Sequence, residues 1–234
     1  MPISKTDFVR GLQCEKMLWL DAHAPELKII PAEVQARLDA GNEFGDKAMS
    51  VFGDFVETTV FKEDGRLNYA AMLEKTKELL ERGENVICEA AFSWYGNYCA
   101  ADILKKDGDG YALYEVKNAP AARKEFIVDL GFQRLILRKC GVKITTCSLL
   151  LNADKQDERE GQVCDEIIEH GGSRFKIAEV TRAARIEERV AEKRIFELGK
   201  LKRKDAPLPL ISVGGQCESP YRCWYYEHCH KKSE

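Results

Sequence analysis

An α/β fold, with a mixed central sheet flanked by helices, follows from three observations on this 234-residue chain. Two alternating segments, Asp102-Ile-Leu-Lys-Lys and Tyr111-Ala-Leu-Tyr-Glu115-Val-Lys117, flank the Gly-rich turn Asp107-Gly-Asp-Gly110, which is the pattern of an antiparallel hairpin. Apolar Phe126, Ile127, Leu130 and Leu137 recur along 121–140 beside a polar set of Arg123, Lys124, Gln133, Arg134 and Arg138, which predicts a helix. An apolar run over 142–151 follows Gly141 and predicts another strand. With a strand at 85–94 ahead of the hairpin, the order strand, hairpin, helix, strand builds one mixed sheet with helices against it.

The remaining elements are read in chain order. Ser4-Lys-Thr-Asp7 has the form of a capping box and opens a helix carrying Phe8, Val9, Leu12, Leu18 and Trp19, with Cys14 in its middle. Residues 21–32 are irregular around Pro25 and Pro31. A second helix spans about 32–52 and contains Gly41-Asn-Glu43-Phe-Gly45-Asp46, whose glycines are costly in a helix and suggest a close approach. A strand at 56–61 and an amphipathic helix at 68–82 precede the strand at 85–94. After the sheet, 152–172 is charged and loop-like with a short helix near 165–170; a strand at 175–180 and a long helix over 181–204 follow. The end of that helix, Lys200-Leu-Lys-Arg-Lys204, suits a helix C-terminus in any protein, and phosphate gripping is the alternative use. Pro207 and Pro209 stop it.

No apolar run approaches the roughly 20 residues needed to cross a bilayer, and Met1-Pro-Ile-Ser-Lys-Thr-Asp7 has no signal-peptide core. A cytoplasmic protein with no membrane partner is expected. The length suits a single domain over 1–234, with a core of about 32–151 and a clasp made of 1–20 and 205–234. Nine cysteines in such a chain do not suggest a disulfide framework, and a net charge of −3 excludes wholesale coating of nucleic acid, leaving local basic patches.

The hairpin carries the chemistry. Counting outward from Lys106 opposite Tyr111 puts Asp102 opposite Glu115, with Cβ atoms about 4.5–5.5 Å apart. Bare carboxylates so placed repel, and one takes up a proton unless a cation sits between them. Mg2+ or Mn2+ would relieve the conflict, with Asp102, Glu115 and the Val116 carbonyl as oxygen ligands and water in the other positions. Lys117, on the same strand face as Glu115, is placed to orient a metal-bound water for attack on a phosphodiester. Glu43 and Asp46, three apart on the second helix, offer one more carboxylate or are solvated charge. A surface hairpin with a wet charged face is the plain alternative; Glu26-Leu-Lys28 matches Glu-x-Lys too, without a carboxylate-bearing partner strand.

The tail Cys217-Glu-Ser-Pro-Tyr-Arg-Cys223-Trp-Tyr-Tyr-Glu-His-Cys229-His230 spaces three cysteines equally in a polar segment, which thiolate ligation explains better than burial. Cys14 can complete a set of four and tie the chain ends together. Zinc on Cys217, Cys223, His228, Cys229 and His230, without Cys14, is the competing occupant. Cys88, Cys99, Cys140, Cys147 and Cys164 fit ordinary burial.

Jointly these residues resemble the RecB-like branch of the PD-(D/E)XK nucleases that carry an iron-sulfur cluster, as in the CRISPR-associated exonucleases and the nuclease domains of some helicase-nucleases. The resemblance covers about 4–230. It implies a restriction-endonuclease-like core whose terminal segments are joined by a structural 4Fe-4S cluster on Cys14, Cys217, Cys223 and Cys229. It implies a catalytic set of Asp102, Glu115 and Lys117, with Gln133 as the Gln of the family's Gln-Tyr motif. The activity implied is that of a metal-dependent DNA nuclease, an exonuclease preferring single-stranded ends, with a CRISPR integrase or a helicase as partner and a place in antiviral defence. Gly45 stands where the family often has a metal-binding His, and Leu135, Ile136 and Leu137 stand where Tyr would follow Gln133. Arg123, Lys124, Arg134 and Arg138 are candidate phosphate contacts. The rival readings are a non-catalytic DNA-end-binding adaptor subunit and a zinc-stapled interaction domain.

Overall fold

The computed structural model describes residues 1–30, 32–156 and 166–231, the side chain of residue 33 excepted. Seven strands form one sheet: β1 (Val56–Glu57), β2 (Val86–Trp94), β3 (Asn97–Asp107), β4 (Gly110–Lys117), β5 (Ile144–Asn152), β6 (Glu166–His170) and β7 (Ser173–Glu179), in the order β1-β2-β3-β4-β5-β7-β6. The β1–β2 and β4–β5 pairs are parallel and the others antiparallel, so the sheet is mixed, as the sequence predicts. The hairpin keeps its expected register, Lys106 opposite Tyr111. Its connection is tighter than the four residues expected, because Asp107 also pairs with Gly110 and Gly108 turns the chain at φ +58°.

Helices α1 (Lys5–Gln13) and α2 (Glu15–His23) replace the single N-terminal helix expected, and Cys14 between them is extended at φ −160°, ψ 113°. The capping box is present: the Ser4 hydroxyl accepts the Asp7 N–H at 3.1 Å and the Asp7 carboxylate accepts the Ser4 N–H at 2.9 Å. Helix α3 (Ala32–Ala48) ends before 52. The strand expected at 56–61 shortens to β1 and an isolated bridge between Phe61 and Leu67. Helices α4 (Tyr69–Arg82) and α5 (Lys124–Lys139) fall where the periodicity places them. The helix expected near 165–170 is instead β6, turned onto β7 by Gly171 and Gly172 at φ +57° and +75°. Consecutive left-handed residues of this kind make a tight hairpin turn, a signal the charged composition of the segment obscured; residue 165 itself lies outside the described residues. Helix α6 (Thr181–Lys200) stops four residues early, and Lys202 leaves its axis to pair with Asp7 at 2.8 Å. A short α7 (Tyr226–His230) lies in the tail.

One face of the sheet is covered by α1, α5 and α6 through Phe8, Phe132, Leu135, Ile195 and Leu198, against Leu104 and Leu113. On the other face Phe44 and Ala48 of α3 pack against Val86, Ile103, Leu150 and Phe175. Each fully buried side chain of this size contributes about 1.5–3 kcal/mol. A third cluster of Met17, Leu20 and Tyr225 joins α2 to the tail. No helix among the described residues is long and apolar enough to cross a membrane.

Candidate functional site

The sheet register lines up three carboxylates. Cys88–Ile103 and Ala90–Ala101 pairing sets Glu89 opposite Asp102, and Ile103–Tyr114 pairing, continued by one residue, sets Asp102 opposite Glu115. Glu89 sits at φ +54°, an uncommon conformation for a residue of this size. Helix α5 adds Asp129 and Gln133, four apart and so on one face. Gln133 donates to Glu115 at 2.5 Å and to Asp129 at 3.1 Å, and its buried Oε1 has no partner. Lys117 Nζ donates to Glu115 and, at 3.0 Å, to Asp129. Lys5, in the first turn of α1, brings a second ammonium 3.3 Å from Glu115, 3.6 Å from Asp102 and 3.8 Å from Asp129. Asp102 also accepts the Val116 N–H at 2.8 Å.

Asp102, Glu115, Lys117 and Gln133 are therefore brought together, whereas Glu43 and Asp46 are exposed on α3. Lys5, Glu89 and Asp129 are partners that sequence reasoning did not single out. The four-residue step from Asp129 to Gln133 was a usable signal, and extending the strand count to β2 would have reached Glu89. Lys5 carried none, since only the fold sets the start of α1 over the sheet.

Burial opposes every charge here, and neighbours decide each outcome. For Glu115, the nearby Lys117 and Lys5 outweigh burial and hold its carboxyl well below the usual range. Burial and the Glu115 charge push Asp102 up to about 6. Burial and the Asp102 charge push Glu89 up to about 8. Burial also opposes the charge of Lys5 and of Lys117, but the surrounding carboxylates, Asp129 first, keep both firmly protonated.

Above this cluster opens a groove of about 570 Å³ whose lining includes Lys5, Arg10, Arg37, Lys117, Arg123, Lys155 and Arg222, with Glu125 and Asp129 as its acidic groups. Tyr221 and Trp224 form one wall. Trp224 carries the Arg10 guanidinium 3.6 Å and the Lys28 ammonium 4.6 Å from its ring centre, and Asp21 holds both cations, at 2.8 and 2.9 Å. Of the expected phosphate contacts, Arg123 lines the groove and Lys124 is exposed. Arg134 and Arg138 both pair with Glu188 of α6, so their charge is spent holding two helices together.

Cys14, Cys217, Cys223 and Cys229 converge, as expected, on one cavity, which has a volume of about 20 Å³. That is close to the space of a single water. Burial pushes the Cys223 thiol up to about 11, and its Sγ lies 3.6 Å from the Met17 sulfur. His228 and His230 are exposed, with His230 stacked on Tyr226. Cys88, Cys99 and Cys147 are buried as expected; Cys140 is exposed, and Cys164 lies outside the described residues.

The cofactor expectations need correction. Among the described residues, no group of three or more His, Cys, Asp or Glu could hold a metal ion. Lysine ammonium groups stand among Asp102, Glu115 and Asp129 where Mg2+ or Mn2+ was expected, Val116 meets Asp102 with its N–H, and Glu43 is exposed on α3. Cys14, Cys217, Cys223 and Cys229 line one cavity, but they too are not a group that could hold a metal ion among the described residues. The same result removes zinc. No known protein-family model matches the chain, and no curated protein matches it closely either. Together these findings overturn the identification as an iron-sulfur RecB-like nuclease, and with it the metal-dependent nuclease and the CRISPR association.

Proposed function

We propose that the groove binds the phosphate backbone of a nucleic-acid strand, DNA in the first instance. One observation carries this reading: seven cationic side chains and two carboxylates line a single groove on a chain whose net charge is −3, and although Lys5, Arg10, Lys117 and Arg222 are paired with carboxylates, Arg37, Arg123 and Lys155 form no ion pair among the described residues. Such a concentration of one sign is what holds a polyanion. Side-chain positions support it as well. Lys5 and Lys117 stand at the floor, Arg123 and Lys155 line the groove beside them, and aromatic Tyr221 lies opposite Arg37, 5.6 Å from the guanidinium to the ring centre. Cations beside aromatic faces suit a strand with unpaired bases.

The test is fluorescence anisotropy of a labelled single-stranded oligonucleotide against salt, for the parent and for Arg123→Glu combined with Lys155→Glu. The expected result is binding at low salt that weakens about tenfold or more in the double variant, with a shallower salt slope. A parent that binds no oligonucleotide at low salt would sink the reading. Phosphodiester hydrolysis, the enzymatic expectation of the sequence, stays a proposal and is read in the same incubations as shortening of the strand.

A further inference from the structure

Helix α6 carries a second cationic surface that the groove does not use. Arg182, Arg185, Arg189, Lys193 and Lys200 are exposed, and at 3.6 residues per turn they fall with Phe196 within an arc of about 80° and a length of about 27 Å. None of the five cations forms an ion pair among the described residues. The contrast within the helix is informative. Glu188 pairs with Arg134 and Arg138, Glu192 with Lys139, and Arg194 with Glu15 and Glu197, so of its other ions all but Glu187 are engaged while the stripe is left open.

A solvated face would be the plain explanation, but two features stand against it. Arg182 and Arg185 lie at the N-terminal end of α6, where the helix dipole disfavours cations, and the carboxylate at that end, Glu179, accepts the Thr181 N–H. The stripe also runs into an exposed aromatic group. Phe196, half exposed, lies 5.4 Å from Trp94 and 6.4 Å from Tyr95 between ring centres, and Lys139 Nζ sits 5.1 Å over Trp94. Tyr95 is 78% exposed and held at φ +49°, in the left-handed region where a bulky residue is strained.

We propose that this face docks double-stranded nucleic acid through its phosphates, independently of the groove. A row of cations spaced along one helix matches phosphates already held in a regular outward array, whereas a flexible strand would have to be ordered along it. An anionic membrane fits less well. The apolar side of α6, with Ala184, Ala191, Ile195 and Leu198, is buried in the core, and exposed Ile186 and Phe196 are all that this helix offers a bilayer, short of the continuous apolar face by which a membrane-surface helix inserts.

The experiment compares the parent with Arg185→Ala/Arg189→Ala/Lys193→Ala, all three sites being exposed, after circular dichroism and unfolding midpoints show that the variant is folded. Probes are a labelled blunt duplex, a labelled single strand and vesicles of phosphatidylcholine with phosphatidylserine. The expected result is duplex affinity lowered about tenfold or more and a duplex salt slope reduced by about 2.7, three contacts at 0.9 each, with single-strand binding retained. Unchanged duplex affinity and slope would overturn the proposal. So would equal losses for both oligonucleotides, or a loss confined to the vesicles. Failure of the groove reading appears separately, as absent single-strand binding by the parent.

Discussion

Replacing Lys5 with Met removes one of the two ammonium groups that neutralise the buried carboxylates. The side chain lies 3.3 Å from Glu115, 3.6 Å from Asp102 and 3.8 Å from Asp129. Deleting one partner of a buried pair costs about 3–5 kcal/mol; Lys5 and Lys117 keep 23% and 24% of their side-chain surface, which places this site toward the lower end. The cluster also has an escape. Asp102 titrates at about 6 even with both lysines present, and each unit by which pH exceeds a carboxyl pKa adds only about 1.4 kcal/mol to the cost of protonating it. Without Lys5 the carboxyl values rise further. An acid whose folded value is raised contributes stability that is present below its unfolded value and is lost as pH rises through the folded one. The parent has the opposite behaviour at Glu115, whose lowered value gives stability above the usual carboxylate range. The gap between parent and variant therefore widens with pH, from about 1 kcal/mol at pH 5 to about 3 kcal/mol at pH 8. Denaturant unfolding at the two pH values, followed by tryptophan fluorescence, measures it, with Lys5→Arg as the variant that keeps the charge. An equal loss at both pH values would refute the electrostatic account and leave only lost packing.

Glu89→Gln should stabilise the protein at pH 9 and change little at pH 5, because burial and the Asp102 charge raise the Glu89 carboxyl to about 8 and its contribution is lost as pH rises through that value; the check is a pair of urea midpoints. Asp7→Asn should cost about 1 kcal/mol at neutral pH and progressively less as pH falls below the usual carboxylate range. Burial opposes the Asp7 charge, but Lys202 and the Ser4 cap outweigh it and lower the pKa, so the stability it provides disappears as pH falls below the usual carboxylate range; acid unfolding of the two proteins compares them. Gly131→Ala should lower the melting temperature, with a cost of about 1–3 kcal/mol, because a Cβ there would stand 2.5 Å from Glu187 Cβ and 2.7 Å from its carbonyl carbon, and α5 and α6 would have to separate.

Period-two alternation and a Gly-rich turn made the hairpin legible to the residue, since a one-place slip would have turned Glu115 and Leu113 out of the core. Helix α5 was equally plain. Cys14 was not, because helical periodicity continues across it and only the tertiary demand of the pocket at Cys217, Cys223 and Cys229 draws the backbone out of the helix. The four cysteines were foreseen as a group, and so were Asp102, Glu115, Lys117 and Gln133. What filled the space among the carboxylates was not foreseen. Sequence reasoning recognised that they required a cation and supplied a metal, while the structure satisfies the same Coulomb requirement with Lys5, a residue 110 positions from Glu115 whose approach no local pattern encodes.

The ends of the chain, although remote from the sheet's centre in sequence, set the geometry of both the cluster and the groove. The Met1 ammonium donates to the Gly199 carbonyl at 3.0 Å, and a side chain at Gly199 would collide with the Met1 carbonyl oxygen at 2.3 Å. Gln13 donates to the carbonyls of Gln216 and Tyr221, Trp19 to that of Ala206, and the Tyr225 hydroxyl to Asp21, all at 2.6–2.9 Å. These bonds fix α1 and α2 from outside while Phe8, 5.0 Å from Phe132 between ring centres, fixes α1 from inside. Lys5 then has its ammonium among the carboxylates, and Tyr221 and Trp224 become a groove wall. Asp21 links the two tasks, since it binds Arg10, Lys28 and Tyr225 together and so orders the groove cation Arg10, Lys28 and the tail with one carboxylate. Among the described residues, hydrogen bonds and packing, and not a metal cluster, thus join the two ends of the chain, and their consequence is positional: they set charge of one sign over charge of the other at the floor of the same groove.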